Sequence, residues 1–501
     1  MSADAGADPP ERPHATPRRI ARNALIRSGG EVVAKAASVA FYVVMARELG
    51  SEGFGDFMFA LSLTSVLLLG SGFGIDDLTF MEVGRDKRRA GDYLGDAVAI
   101  KLLTSFALLT AAAIAVNIAD YSSEARLAVY LVGTGNAIET LSWSWHAIFG
   151  GHERLELTAV AVIAQRIVTA VAGVAVLLSG GGLIAASAIF LGGAFLGLLV
   201  SHVQLRRLVP WLQVRTHHRR WLPLIKAGFP IGVATLLFMI LIKLDTVMLS
   251  FLEGGDNSQV GFYSAAYRLV EATMFVSWIF SHSSLPWLAR QEEEGVGLAR
   301  GGELGLKALT AVLMPIGVTF AVLAPQLIEL FYGSAFEDAV TPLRWLGLMT
   351  VLYGINFFAS TILVARGRPS GFTRAAVIII VQNVVFNLVL IPIYGASGAA
   401  FNAVLSGVLL AVLAVRQVGL ITRPVNPARA FAGSLIAGAA MAGVVLAAGL
   451  PLIPSLILGP LVYAAALTLF ERLFHPDDFR LALSIARGGS RLAQPAHEGS
   501  A

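Results

Sequence analysis

The chain has 501 residues, 56% of them hydrophobic and 14% charged, with a formal net charge of +4 and no cysteine. Ordinary soluble domains are about 25% charged, and the mean hydropathy of +0.72 leaves more apolar surface than a water-soluble fold could bury. The missing cysteine excludes disulfides, thiolate metal sites and a thiol nucleophile, and the basic residues flank apolar segments instead of forming one face, which argues against nucleic acid as a partner.

Residues 1–19 are rich in Pro, Ala and charge without an apolar run, and read as a disordered cytoplasmic tail rather than a cleaved signal peptide. Beyond them the pattern predicts about fourteen segments able to supply the roughly 20 apolar residues of a membrane span. The first six run from Arg27 to Gly50, Phe54 to Gly84, Leu94 to Ile118, Arg126 to Gly150, Leu157 to Ser179 and Leu183 to Leu208. After the connector 209–226 come Ala227 to Leu252, Gly261 to Ala289, Glu303 to Tyr332, Val340 to Ala365, Phe372 to Ile393, Ser397 to Val418, Arg429 to Gly449 and Leu452 to Arg472. In the tail 473–501, the apolar positions of Phe479 to Arg487 recur at helical spacing, which fits either an amphipathic helix on the inner membrane surface or an unstructured tail.

The connectors alternate in charge. One set carries Arg85, Lys87, Arg88 and Arg89, then Arg154, the group from Arg206 to Lys226, Arg290 and Arg300, the group from Arg366 to Arg374, and Arg416, Arg423 and Arg429. In the other set Arg126 is the single basic residue. Basic connectors stay on the cytoplasmic side, so both termini are expected inside with an even number of spans.

The Leu49 to Gly55 run enters the second segment, and Gln259 to Tyr263 enters the eighth at the same place in the pattern, about 200 residues later. The expected fold is therefore all-α: a polytopic membrane protein of about fourteen helices in two pseudo-symmetric six-helix lobes, 20–208 and 227–418. A cytoplasmic inter-lobe loop, 209–226, joins them, and a helix pair is appended at 419–472.

Two blocks carry a family resemblance. The first is Ala46-Arg47-Glu48-Leu49-Gly50-Ser51-Glu52-Gly53-Phe54-Gly55. The second comprises Leu330-Phe331-Tyr332-Gly333, then Ala365-Arg366-Gly367-Arg368-Pro369, then the run from Asn387 through Pro392 and Gly395 to Ala400. Their order and spacing, over about Arg22 to Arg472, resemble the polysaccharide-transporter branch of the multidrug/oligosaccharidyl-lipid/polysaccharide exporter superfamily, the Wzx-type oligosaccharide-lipid flippases.

The resemblance implies a non-enzymatic flippase in the bacterial cytoplasmic membrane. It would move a polyisoprenyl-diphosphate-linked oligosaccharide to the outer leaflet by alternating access, for a capsule, O-antigen or exopolysaccharide. Membrane lipids, a polysaccharide polymerase and glycosyltransferases are the further partners implied, and no cofactor is. The chain has no Gly-x-x-x-x-Gly-Lys-[Ser/Thr] nucleotide motif, so H+, Na+ or the substrate gradient would drive transport. Two alternatives share the superfamily, a peptidoglycan lipid-precursor flippase and a cation-coupled multidrug exporter. A membrane polymerase or ligase is a third, disfavoured because the outward connectors are short and nearly free of catalytic residue types.

A diphosphate headgroup needs fixed cations within the bundle, whereas an isolated charge at mid-membrane costs at least about 2.5–3.5 kcal/mol. Arg166, about nine residues and ~14 Å into its segment, is the first candidate for a phosphate contact, the alternative being an ion pair with Glu139. Lys243 and Asp245 are two residues apart and point to nearly opposite sides. Lys243 then reads as a cavity cation, and Asp245 as an ion or proton site or a bond holding the bundle together. Arg268 and Glu271 stand at i, i+3 and favour local pairing, with Arg268 a cavity cation otherwise. Lys35, four residues after Glu31, sits where a headgroup would enter.

Asp76 and Asp77 follow Gly70 to Ile75, where glycines weaken the helix; they read either as a proton-coupling site at a hinge or as acids solvated or paired with Arg85. Asn383 and Asn387 share a face and read as helix-joining amides. His146, His217 and His218 have no second ligand at suitable spacing, so no metal is expected.

Overall fold

The computed structural model describes residues 17–293, 298–365, 370–421 and 426–480, and every regular element among them is helical. α1 (Pro17–Leu69) is followed by a 3-10 turn at Gly70–Gly72, α2 (Ile75–Arg85), α3 (Ala90–Ile118), α4 (Ser123–Gly151), α5 (Leu155–Leu178) and α6 (Leu183–Leu208). After a connector come α7 (His218–Leu252), α8 (Ser258–Glu271), α9 (Met274–Glu293), α10 (Leu298–Val322), α11 (Ala324–Tyr332), α12 (Val340–Ala365), α13 (Ser370–Ile421), α14 (Pro427–Ala448) and α15 (Leu452–Phe474). Among the described residues nine helical stretches are long and apolar enough to cross a bilayer. In hydrocarbon the backbone must bond internally, so this build is that of a multi-pass membrane protein.

α1 and α13 are each a pair of antiparallel arms around one glycine. α1 breaks at Gly50 (φ 69°, ψ −174°) and returns so that the Phe41 and Phe57 rings stand edge to face, 6.3 Å apart. α13 breaks at Gly395 (φ 53°), and the Asn402 amide then donates to the Asn383 carbonyl across the hairpin at 2.9 Å. Both φ values lie in the left-handed region, which glycine enters without steric cost.

Three expected single segments are split. Phe54 to Gly84 is interrupted where Phe73 (φ 45°) and Gly74 (φ 73°) take left-handed backbone. Glu303 to Tyr332 breaks at Leu323, because Pro325 belongs in the first turn of a new helix. Gly261 to Ala289 breaks after Glu271, with neither glycine nor proline at the break. The Arg366 to Pro369 part of the family block, Arg423, the side chains of Glu31, Arg290 and Arg300, and the proposed amphipathic stretch beyond Arg480 lie outside the described residues.

α1–α6 pack on one another, as do α7–α14 with α15 attached through α14 and α10. The two sets meet where α1 packs on α7 and α8, and where α2 packs on α7. At the end of the bundle marked by Gly50 this seam is closed backbone to backbone. A β-carbon on Gly55 would stand 1.8 Å from the Asn257 carbonyl oxygen, and one on Gly261 would stand 2.1 Å from that of Ser51. Beside these glycines, Asn257 donates to Asp56 at 2.6 Å and accepts from Ser250 at 2.5 Å, while the Ser250 and Tyr121 hydroxyls lie 2.7 Å apart. Phe54 and Phe262 both pack on Phe336, and Arg47 donates to the Leu330 and Phe331 carbonyls. The same end thus holds apolar packing, a buried polar chain and main-chain contact together.

At the opposite end, marked by Arg85, the connector after α6 is laid on α3. Gly91 and Gly95 face the Gln213 and Arg215 carbonyls too closely for any side chain, and buried Asp96 accepts from the His217 backbone N–H at 2.6 Å and the Trp221 indole at 3.2 Å. The C-terminal pair is pinned at this end too, by Lys307 to Glu471 at 2.5 Å and Arg429 to Asp478 at 3.0 Å. Burial opposes ionisation of Asp478, but hydrogen bonds from Arg429 and Lys307 prevail and hold its carboxyl below the usual range.

Gly55→Ala and Gly261→Ala should each destabilise the purified protein by about 1–3 kcal/mol or more, as overpacking does at a seam with no room to relax. Gly84→Ala, whose added methyl meets nothing within 4 Å, should leave it unchanged or slightly more stable. Thermal unfolding in detergent, followed by size-exclusion fluorescence, distinguishes these; equal melting of all three variants would refute close packing at the seam.

Candidate functional site

The charged residues within the bundle fall into four groups, each set by helical phase. The first gathers on α1, α7 and α8. Arg268 donates to Glu271 at 2.6 Å, as their i, i+3 spacing predicts, and its guanidinium lies 3.9 Å from the Tyr42 ring centre and 3.6 Å from Met58 sulfur. Lys243 reaches within 5.5 Å of the Tyr267 ring and Lys35 within 5.2 Å of the Phe275 ring. The Glu271 carboxylate interacts electrostatically with Arg268, Lys243 and Lys35. The two cations Lys243 and Arg268, from two helices, therefore share the Glu271 carboxylate, and Lys35 on α1 acts on it as well. Arg268 lies ten residues into α8 and Lys243 nine residues before the end of α7, or ~14–15 Å from the Gly50 end of a ~30 Å hydrocarbon layer. These charges sit near mid-membrane.

Arg166 belongs to a second group. It shares a stripe of α5 with Ala170, Gly173 and Leu177, all buried, yet Arg166 itself is exposed. Glu139 on α4 is half-buried and feels the Arg166 charge. The two do not form an ion pair within 4 Å, and neither makes a hydrogen bond to another described residue. The expected Arg166–Glu139 bridge is thus a looser juxtaposition.

The third group holds Asp76, which neither stays solvated nor pairs with Arg85. Its partner is Lys101 on α3, at 2.5 Å, and Ser144 on α4 donates to its other oxygen at 3.0 Å. Lys101 is fully buried and also donates to the Thr140 carbonyl at 2.7 Å, so Asp76 ties α2, α3 and α4 together beside the Phe73–Gly74 break. Arg85 pairs instead with Glu82, and Asp77 is exposed. The sequence signal for Lys101 is a lone lysine eleven residues into α3, with no acid within four residues on either side.

Asp245 forms the fourth group. Its carboxyl, 3% exposed, accepts from Tyr263 at 2.9 Å, Asn383 at 3.0 Å and Asn387 at 2.7 Å. Asn402 donates to Asn387 at 2.8 Å, and Gln382 to Asn402 at 2.8 Å, so one amide chain joins α7, α8 and both arms of α13. A cavity of about 340 Å³ borders it, lined in part by Tyr267, Tyr353, Asn356 and Ser406. His146 is an interior residue 3.1 Å from the Ser201 hydroxyl, and no cluster of three His, Cys, Asp or Glu suited to a metal occurs among the described residues.

The arrangement places two cations beside one carboxylate near mid-membrane and, apart from them, a buried carboxyl set in neutral donors. The family model for "Polysaccharide biosynthesis protein" matches residues 20–292, more than half of the chain. A probable flippase, AglR, of Haloferax volcanii is 26% identical over 209 residues, covering 40% of this chain and 42% of that protein. A probable low-salt glycan biosynthesis flippase, Agl15, of the same organism is 26% identical over 161 residues, 31% of this chain and 34% of that protein. The chain thus matches about two fifths or less of the length of these curated relatives. Among solved structures, the lipid II flippase MurJ in an inward closed conformation superposes with TM-score 0.73 at 16% identity, over 89% of this chain and 99% of that one. An inward-facing multidrug resistance MATE family transporter superposes with TM-score 0.63 at 14% identity, over 78% and 95%. The fold is that of these transporters.

Asp76→Ala, which strands the fully buried Lys101 without its counter-charge, should destabilise the protein by about 3–5 kcal/mol, and adding Lys101→Met should recover most of the loss. Melting of the single and double variants in detergent measures this. An unchanged melting temperature for Asp76→Ala would refute a structural pair.

Proposed function

We infer the function from one premise: the chain belongs to the polysaccharide biosynthesis protein family, within the multidrug/oligosaccharidyl-lipid/polysaccharide exporter superfamily. We propose that it is a flippase for a polyisoprenyl-diphosphate-linked oligosaccharide, moving it across a cytoplasmic membrane for surface polysaccharide assembly. One observation carries this reading. Lys243 and Arg268 share the carboxylate of Glu271 near mid-membrane, and Lys35 acts on it from about 22 Å below the Gly50 end, a positive site that an entering diphosphate would balance.

In this mechanism Glu271 holds Arg268 in place while the site is empty, and the diphosphate takes over part of that role on entry. The cations sit on α1, α7 and α8, the helices that also form the closed seam at the Gly50 end. Opening that seam would part Gly55 from Asn257 and Gly261 from Ser51, and so would move the cation-bearing helices relative to one another. The Arg85 end, rich in arginine, faces the cytoplasm in this reading, with both termini on that side. The two moving bodies are α1–α6 and α7–α13.

Asp245 is proposed as the coupling group for H+ or Na+. It is a buried carboxyl among neutral donors, beside a cavity and apart from the cations, where binding of a proton or ion would reorganise the amide chain linking α7, α8 and α13. A multidrug exporter of organic cations fits less well, because Lys35, Lys243 and Arg268 would repel such a substrate. A peptidoglycan-precursor flippase shares the headgroup chemistry and differs only in the sugar.

Lys243→Gln and Lys35→Gln should each slow translocation of a polyprenyl-diphosphate-linked oligosaccharide in reconstituted vesicles by about tenfold, the equivalent of roughly 1.4 kcal/mol per lost contact. Both should elute as wild type from size exclusion. A double variant with unchanged translocation would overturn the anion-site reading.

A further inference from the structure

One aromatic residue breaks the burial pattern of its helix. On α4, the stripe Ala125, Val129, Val132 and Asn136 is buried, each at 6% exposure or less. Glu139 and Trp143 continue that stripe at helical spacing toward the Arg85 end, yet Trp143 is 51% exposed. The outward face of the same helix lies elsewhere, carrying Leu127 and Tyr130. Trp143 is therefore exposed on the side of α4 that, farther up, packs on α1 through Asn136 and Thr64.

The ring is held rather than loose. It stands edge to face with His146 at 5.3 Å, and His146 is itself buried and 3.1 Å from the Ser201 hydroxyl on α6. The Trp143 indole N–H has no hydrogen-bond partner among the described residues. One turn away, the Glu139 carboxylate likewise lacks a partner, and across from it the Arg166 guanidinium is exposed without one, the two close enough to interact electrostatically. An oriented aromatic face and an indole N–H thus stand one helical turn from an acceptor that feels the charge of a donor on α5, none of them with a hydrogen-bond partner among the described residues. An apolar ligand would leave the carboxylate and guanidinium unmatched, and an inorganic anion would not use the ring.

A pyranose uses all four groups: its C–H face stacks on an aromatic ring while its hydroxyls give and take hydrogen bonds. The position along the membrane normal also suits a sugar. Trp143 is twenty residues from the start of α4, ~30 Å from the Gly50 end, whereas Arg268 is ten residues from the start of α8, ~15 Å from it. A group held at Trp143 lies about 15 Å nearer the Arg85 end than the cation cluster, within reach of the outer sugars of an oligosaccharide whose diphosphate sits on the cations.

Resting on the flippase reading above, we propose that Trp143, with Glu139 and Arg166, forms a glycan subsite that binds a sugar ring distal to the diphosphate and so selects for lipids carrying an extended oligosaccharide. Trp143 contributes stacking, Glu139 and Arg166 contribute directional hydrogen bonds, and the cation cluster fixes the headgroup independently of glycan length.

The test uses the full-length protein in vesicles with two synthetic probes, a polyprenyl-diphosphate-linked trisaccharide and the same lipid bearing a single sugar. Trp143→Leu should slow the trisaccharide lipid at least tenfold and the single-sugar lipid less than twofold, and Trp143→Phe, which keeps a stacking face, should recover most of the loss. Equal losses on both lipids, or no loss on either, would overturn the subsite. Wild-type protein that moves neither lipid would overturn the flippase reading instead. In that case, quenching of tryptophan fluorescence by free trisaccharide, present in wild type and absent in Trp143→Leu, still supports the subsite, and its absence in wild type overturns it.

Discussion

An ionised side chain in hydrocarbon must find an opposite charge, a set of hydrogen-bond donors or open polar space, and this constraint sorts the interior of the protein. Lys101 takes Asp76, Asp245 takes three neutral donors, and Arg268 takes Glu271. The solutions differ in what they permit. The Lys101 pair is closed off by the Thr140 carbonyl and Ser144, so it suits holding helices together. The Glu271 site has more cations than its carboxylate can match, and it stays receptive to an anion.

The seam between the two helix sets obeys a complementary constraint. In the proposed mechanism these helices part, and helices that part cannot rely on interdigitated large side chains alone, since those would have to be withdrawn one by one. At Gly55 and Gly261 the backbones meet directly, with small residues setting the approach distance. The Asp56, Asn257, Ser250 and Tyr121 chain seals the contact with few polar groups. Because α8 carries both this seam, at Gly261, and the cation Arg268, closure at one end and charge near mid-membrane share one helix.

Much of the fold was legible in the amino-acid sequence because hydrophobic length and glycine punctuation are local. Gly50 was visible as a segment end, Gly395 as part of a short connector, and Arg268 with Glu271 as an i, i+3 pair. What was not legible is long-range. Asp76 and Lys101 are 25 residues apart, and nothing between them announces the pairing; Arg85, nearer in sequence, was the more natural partner and is instead held by Glu82. The donors around Asp245 come from as far as Asn387, 142 residues on, so the amides could be read as helix-joining but not assigned to a carboxyl. The exposed state of Trp143 was invisible for the same reason, since its stripe is continuous in sequence and only packing reveals where burial ends.

On the proposed flippase reading, the distribution of these features follows from what a carrier of a bulky amphiphile requires. A diphosphate is the same in every lipid-linked glycan, so its site can be built from long, adaptable cationic side chains on helices that move. A glycan differs from one substrate to another, so discrimination calls for a rigid face, and rigidity is available where α4 is already braced by α2, α3 and α6. Trp143 is fixed by His146 on that braced helix, while Lys35, Lys243 and Arg268 ride on the helices of the seam. In the proposed mechanism, separating headgroup binding from sugar recognition in this way would let the cations shift as the seam opens without disturbing the surface that reads the sugar.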